Sequence, residues 1–124
     1  MPTFGDGKIC YLEIPATDIA RSADFYERVF GWRIRKDSGG SISFDDAVGE
    51  VSGMWVLGRP PSTALGILIS IMVDDVAASL DKVVAAGGKV LQASAPDTSA
   101  ITATFSDPAG NVFCLYQHRS SKST

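Results

Sequence analysis

The chain repeats itself, and the repeat limits its fold more than any other feature. Asp18-Ile19-Ala20-Arg21-Ser22-Ala23-Asp24 returns 57 positions later as Asp75-Val76-Ala77-Ala78-Ser79-Leu80-Asp81. Phe44-Asp45-Asp46-Ala47-Val48-Gly49-Glu50-Val51 returns 61 positions later as Phe105-Ser106-Asp107-Pro108-Ala109-Gly110-Asn111-Val112. The four extra residues fall in the loop around Ala95-Pro96-Asp97, so both halves keep one element order. A duplicated unit gives two equivalent sheets, and their symmetry is expected to enclose a cavity. Function is sought on that enclosed face.

Each half reads as strand, helix, then three strands. Ile9 to Ile14 alternates as a strand and ends at Pro15. Thr17-Asp18 caps a helix to Phe30 whose apolar residues Ile19, Ala23, Tyr26 and Phe30 share one face; Gly31 stops it. Trp32 to Lys36, Ser41 to Phe44 and Glu50 to Leu57 follow as strands, with turns at Ser38-Gly39-Gly40 and Asp45 to Gly49. In the second half Leu65 to Val73 is a strand and Asp75 to Ala86 a helix, closed by Gly87-Gly88. Lys89 to Gln92, Ala100 to Phe105 and Asn111 to His118 are the last strands. The expected fold is α+β: one domain over residues 1–124 of two tandem βαβββ modules, with curved mixed sheets around a cavity. Module one covers about 8–57, a linker 58–64, module two about 65–118, and a polar tail 119–124.

At 124 residues with 45% apolar composition, one domain can bury a core without staples. A formal net charge of −3 with scattered basic residues gives no footprint for nucleic acid or an acidic membrane surface. Two cysteines make no disulfide framework. Met1 to Lys8 has no charged region leading into an apolar run, and no stretch reaches membrane-spanning length, so a cytoplasmic location is expected.

Strand residues alternate between faces. Placing Phe113 and Leu115 under the helices turns Val112, Cys114, Tyr116 and His118 inward. The 61-residue offset then turns Val51, Gly53, Trp55 and Leu57 inward in module one. In the opening strands, Leu12, Ile14, Ile71 and Val73 suit the core, leaving Ile9, Tyr11, Glu13, Leu68, Ser70 and Met72 for the cavity. The expected ligand pocket is Tyr11, Glu13, Trp55, Ser70, Met72, Cys114 and Tyr116, apolar and aromatic with few polar points. On this parity, Trp55→Ala would weaken a ligand and spare the fold.

Several fragments carry a family resemblance. They are Glu13-Ile14-Pro15-Ala16-Thr17-Asp18 leading into Ala23-Asp24-Phe25-Tyr26, then Val29-Phe30-Gly31-Trp32, Val73-Asp74-Asp75-Val76, Ala85-Ala86-Gly87-Gly88 and Asp107-Pro108-Ala109-Gly110-Asn111. In this order and duplicated, they resemble the vicinal oxygen chelate superfamily of glyoxalases, bleomycin-resistance proteins and dioxygenases. The match is nearest to its small bacterial glyoxalase-like members. The resemblance implies the glyoxalase/bleomycin-resistance/dioxygenase fold, a homodimer, and in some members a metal held by His or Glu. Carried onto this chain, the metal positions are Ile9, Gly53, Leu68 and Cys114. Three lack a donor side chain and one thiolate makes no zinc site, so neither metal nor another cofactor is expected.

Each candidate keeps a bland alternative. Glu13 is a candidate catalytic base, a ligand-orienting carboxylate, or a solvated rim acid. His118, the sole histidine, is a partly exposed residue or a base. Cys114 reads as a small hydrophobe. Trp55 and Tyr116 stack a ligand, or serve packing or a subunit interface. The leading expectation is metal-free sequestration of a small molecule. The alternatives are a lyase or isomerase with Glu13 as base and Tyr11 or Tyr116 as acid, and a structural or partner-binding domain.

Overall fold

A computed structural model describes residues 2–63, 66–96 and 100–118. The expected strand start at Leu65, the loop at Asp97 and the tail 119–124 lie outside the described residues, as does the side chain of His118. The elements run β1 (Tyr11–Pro15), α1 (Ile19–Phe30), β2 (Arg33–Lys36), β3 (Ile42–Asp45) and β4 (Ser52–Val56). Module two follows as β5 (Ser70–Met72), α2 (Val76–Ala85), β6 (Lys89–Pro96), β7 (Ala100–Ser106) and β8 (Val112–His118). The sheets are ordered β1-β4-β3-β2 and β5-β8-β7-β6. In each, the first strand runs parallel to the last and the others antiparallel. The chain is therefore α+β, with two βαβββ modules.

Local chemistry sets the helix starts identically in both halves. Asp18 and Asp75 stand at the N-caps in extended conformation, and their carboxylates accept the N–H of Arg21 and Ala78, each at 3.1 Å. Gly31 ends α1 at φ 72°, a conformation open to glycine at no steric cost. β5 is shorter than the alternation suggests. Its ladder covers Ser70 to Met72, while the Val112 N–H bonds the Ser62 carbonyl instead, so the chain before Ile69 leaves the sheet.

The first strands and helices of the modules correspond at an offset of 57, but the last strands do not keep the offset of 61. Gly49 N–H bonds the Asp46 carbonyl and Gly110 N–H the Asp107 carbonyl, both at 2.9 Å, so the two turns begin alike. Asp107 N–H then pairs with Asn111, one residue past its glycine, whereas Asp46 N–H pairs with Val51, two past. Glu50 is an inserted residue. From there the offset is 60: Ile14 pairs with Trp55 where Ile71 pairs with Leu115.

Large rings fill the core around α1. Tyr26 stacks on Trp32 and Trp32 on Phe44, each at 4.5 Å between centroids. Tyr26 also meets Trp55 at 5.7 Å and Phe113 at 5.8 Å, and Phe25 meets Phe105 at 6.1 Å. α1 thus packs on β2, β3 and β4 and sends its rings to Phe105 and Phe113 on the inner face of sheet two, while α2 packs on β6, β7 and β8. Fully burying each of these rings contributes roughly 1.5–3 kcal/mol. Gly53 completes the fit, because a Cβ there would stand 2.2 Å from the Leu12 carbonyl oxygen and 2.5 Å from the Phe44 ring.

A buried polar network ties the modules together. Tyr26 O–H donates to Asp107 Oδ2 at 2.8 Å, and Asn111 Nδ2 donates to the same oxygen and to the Pro15 carbonyl. Asp107 Oδ1 accepts the N–H groups of Ala109 and Asn111. Burial first, and then the neighbouring Asp107 charge and hydrogen bond, push the Tyr26 phenol well above its usual range.

The inserted Glu50 also acts as a surface tether. Its carboxylate accepts from Lys8 Nζ at 2.9 Å and from the N–H and hydroxyl of Thr3 at 3.0 Å. The Lys8 bond, then those from Thr3, lower its pKa from 4.5 to about 2. A lowered carboxylate pKa gives a contribution present above the unfolded value and lost as pH falls through the folded one. Carboxyl NMR titration is expected to find Glu50 with a midpoint near 2, and the stability that its ionised form contributes should be lost as pH falls from 4.5 to 2. A midpoint near 4.5 would show the tether absent in solution.

Candidate functional site

The structure divides the seven sequence-predicted pocket residues. Tyr11 and Glu13 point away from the helices on sheet one, and Ser70, Met72, Cys114 and Tyr116 do so on sheet two, where Ser70 pairs with Cys114 and Met72 with Tyr116. Trp55 does not join them. It is 1% exposed, packed against Tyr26 and Phe44. The correction follows from Glu50, since one inserted residue moves every later side chain to the opposite face. The outward set of β4 is Ser52, Met54 and Val56; Gly53 belongs to the core face, and Val51 precedes the strand. Trp55→Ala is therefore a core truncation.

The outward residues do not converge on one pocket within a chain. The inner faces of both sheets meet α1, so the outer faces are turned from each other. Tyr11 is 50% exposed and Met72 74%. Glu13 is partnered, its Oε1 accepting from Arg59 Nη2 at 2.6 Å. Cys114 is buried, with Sγ directed to the Leu115 carbonyl.

The large cavity lies on the helix side, between the modules. It measures about 760 Å³ and runs from the end of α1, past Trp32 and Phe44 and the turn Asp46-Ala47-Val48, to β5 and the first turns of α2. Leu12, Ile69, Ile71 and Val73 line it. All four lie against the core yet stay partly buried, because nothing fills the space beside them. Sequence reasoning assigns Leu12, Ile71 and Val73 to the core and so misses them as walls. The legible signal is the helix comparison: α2 turns Ala78, Ser79 and Lys82 to the cleft where α1 has Arg21, Ser22 and Phe25. Ser70 and Met72 reach the cleft through the β5 edge, while Tyr11, Glu13, Trp55, Cys114 and Tyr116 do not.

The charged groups of this lining are Asp46, Asp74, Asp75 and Lys82. Asp46 Oδ1 accepts the N–H groups of Glu50 at 2.8 Å and Val51 at 3.2 Å, which fixes the carboxylate. Asp75 is the α2 N-cap. No group of three or more His, Cys, Asp or Glu that would hold a metal forms among the described residues. The offset of 60 also moves the implied metal position on β4 from Gly53 to Met54, the residue equivalent to Cys114.

Known proteins match this architecture. A family model described as a glyoxalase-like domain matches residues 11–116. A glyoxylase-like domain-containing protein of Didymella fabae is 36% identical over 98 residues, 68% of this chain and 72% of that one. Among solved structures, a member of the glyoxalase/bleomycin resistance protein/dioxygenase superfamily from Sphaerobacter thermophilus DSM 20745 superposes with a TM-score of 0.73 at 19% identity, covering 90% of this chain and 98% of its own. A family enzyme of that name from Burkholderia phytofirmans PsJN gives 0.72 at 21%, covering 87% and 96%. These likenesses are of fold. With the module duplication and two mixed sheets, the match over residues 11–116 establishes that the chain belongs to the glyoxalase-like domain family, within the vicinal oxygen chelate superfamily.

Proposed function

We propose that this chain is a metal-free small-molecule-binding protein that sequesters an apolar ligand in the helix-side cleft. The observation that carries this reading is the cleft itself, about 760 Å³, within the range of small-molecule sites and with aliphatic walls from Leu12, Ile69, Ile71 and Val73. Leaving Leu12, Ile69, Ile71 and Val73 incompletely buried costs stability that a bound apolar molecule would return. The equivalent positions on β4 and β8 support the metal-free part, since Met54 supplies no nitrogen or oxygen donor and Cys114 is buried. A cytoplasmic location suits two free cysteines and a described chain in which no helix is long and apolar enough to cross a membrane.

N-Phenyl-1-naphthylamine, a neutral dye that brightens in apolar surroundings, tests the reading. Saturable binding at one dye per chain is expected, unchanged by Glu13→Gln because Glu13 stands off the cleft and is held by Arg59. Absence of saturable binding would remove the reading. Dye binding abolished by Glu13→Gln would move the site to the outer face of sheet one.

We also propose a homodimer. Among the described residues β1 and β5 are outer strands of their sheets, and beside them Ile9 is 75% exposed and Met72 74%, apolar surface that an edge normally covers. Sedimentation at micromolar concentration should report twice the 13.1 kDa chain mass. Monomer alone would contradict it.

A further inference from the structure

The cleft has a filled twin in the same molecule. At the helix offset of 57, Arg21 corresponds to Ala78, Phe25 to Lys82, Tyr26 to Val83 and Phe30 to Gly87. On the filled side, Phe25 and Phe30 pack on Phe105 at 6.1 and 5.8 Å, and the Arg21 guanidinium lies beside Gly87. On the cleft side, Ala78 and Lys82 stand across open space from Asp46 and Ala47, the counterparts of Asp107 and Pro108.

The two aspartates show what is missing. Each turns Oδ1 to two N–H groups of its own turn. Asp107 Oδ2 then accepts from Tyr26 O–H and Asn111 Nδ2. The counterparts of those donors are Val83 and Val51, which have none to offer. Asp46 Oδ2 takes no hydrogen bond from any described residue. Around it the lining carries the carboxylates of Asp46 and Asp74 and, among the described residues, one ammonium, that of Lys82.

We propose that the ligand is a small molecule with an aromatic ring and a cationic nitrogen, its ring between the aliphatic walls of the cleft and its N–H donor on Asp46. The chain's own Arg21, Phe25 and Tyr26 show which groups this surface accepts. The inference rests on the cleft being the ligand site and adds the class of ligand.

Three phenols of one frame test it against the full chain by ¹⁵N NMR: tyramine as the cation, tyrosol as the neutral form, 4-hydroxyphenylacetate as the anion. Tyramine is expected to bind about tenfold more tightly than tyrosol, a charge-assisted bond being the difference, and to shift the Glu50 and Val51 amides. Asp46→Asn keeps an acceptor for those amides and should remove most of that preference. Lys82→Gln should strengthen tyramine about twofold by removing a like charge. Equal binding of the three phenols, or preference for the anion, overturns the inference. So does tyramine failing to bind while N-phenyl-1-naphthylamine still does. Failure of tyramine and the dye together overturns the reading beneath it.

Discussion

Replacing Trp55 by alanine is expected to cost about 3–5 kcal/mol of stability, which chemical denaturation would measure as a lowered midpoint. The indole is 1% exposed and lies among Tyr26, Phe44 and the Ile14 strand. Removing it leaves a cavity that stacked rings on a β-sheet cannot close. Against a total stability of roughly 5–15 kcal/mol, this is a large fraction, and a partly unfolded variant is a foreseeable outcome. Trp55→Phe keeps most of the volume and should lose much less. A near-zero effect of Trp55→Ala would return the side chain to a solvent-facing position and restore the uniform offset of 61.

Asp107→Ala should be nearly as damaging, at about 3–5 kcal/mol, while Asp46→Ala should cost about 1 kcal/mol. The two aspartates hold equivalent turns, so the contrast isolates the buried network. Asp107 is 3% exposed and is bonded by Tyr26, Asn111 and two N–H groups; its loss leaves buried donors without acceptors where the modules meet. Asp46 is half-buried and supports two N–H groups only. Equal costs would show that the inter-module bonds add nothing beyond the turn. Tyr26 adds a pH signature. Its phenol ionises well above the usual 10, so the stability it confers is present below that value and declines as pH rises past it. Tyr26→Phe should flatten the alkaline limb.

The duplicated Asp-led helices, the glycine stops and the strand count are legible in the sequence because each rests on local chemistry: a capping carboxylate, a left-handed glycine, a period of two. Phe113 and Leu115 are buried and Tyr11 and Glu13 exposed, as their alternation suggests, for the same reason. Face assignment fails for Trp55 because Glu50 is invisible as an insertion. Val51 and Val112 look like equivalents, and only the hydrogen bond from Asp46 N–H to the Val51 carbonyl shows that they are not. In the opening strands the match suggested by sequence is two residues off, Leu12 and Ile14 corresponding to Ile69 and Ile71, and parity survives because two is the strand period. The cleft is illegible for another reason. A wall residue such as Ile71 has the pattern of a core residue, and what makes it a wall is a short side chain, Ala78, on an element that the strand's own pattern does not reveal.

Filling the cleft with the chain's own solution tests the account most directly. Lys82→Phe places on α2 the ring that Phe25 supplies on α1, at a position exposed to solvent and outside the sealed core. The variant should fold with equal or greater stability, and N-phenyl-1-naphthylamine affinity should fall at least about tenfold as the ring takes the space. Unchanged dye affinity in a folded Lys82→Phe protein would place the ligand elsewhere and contradict the helix-side cleft as the binding site.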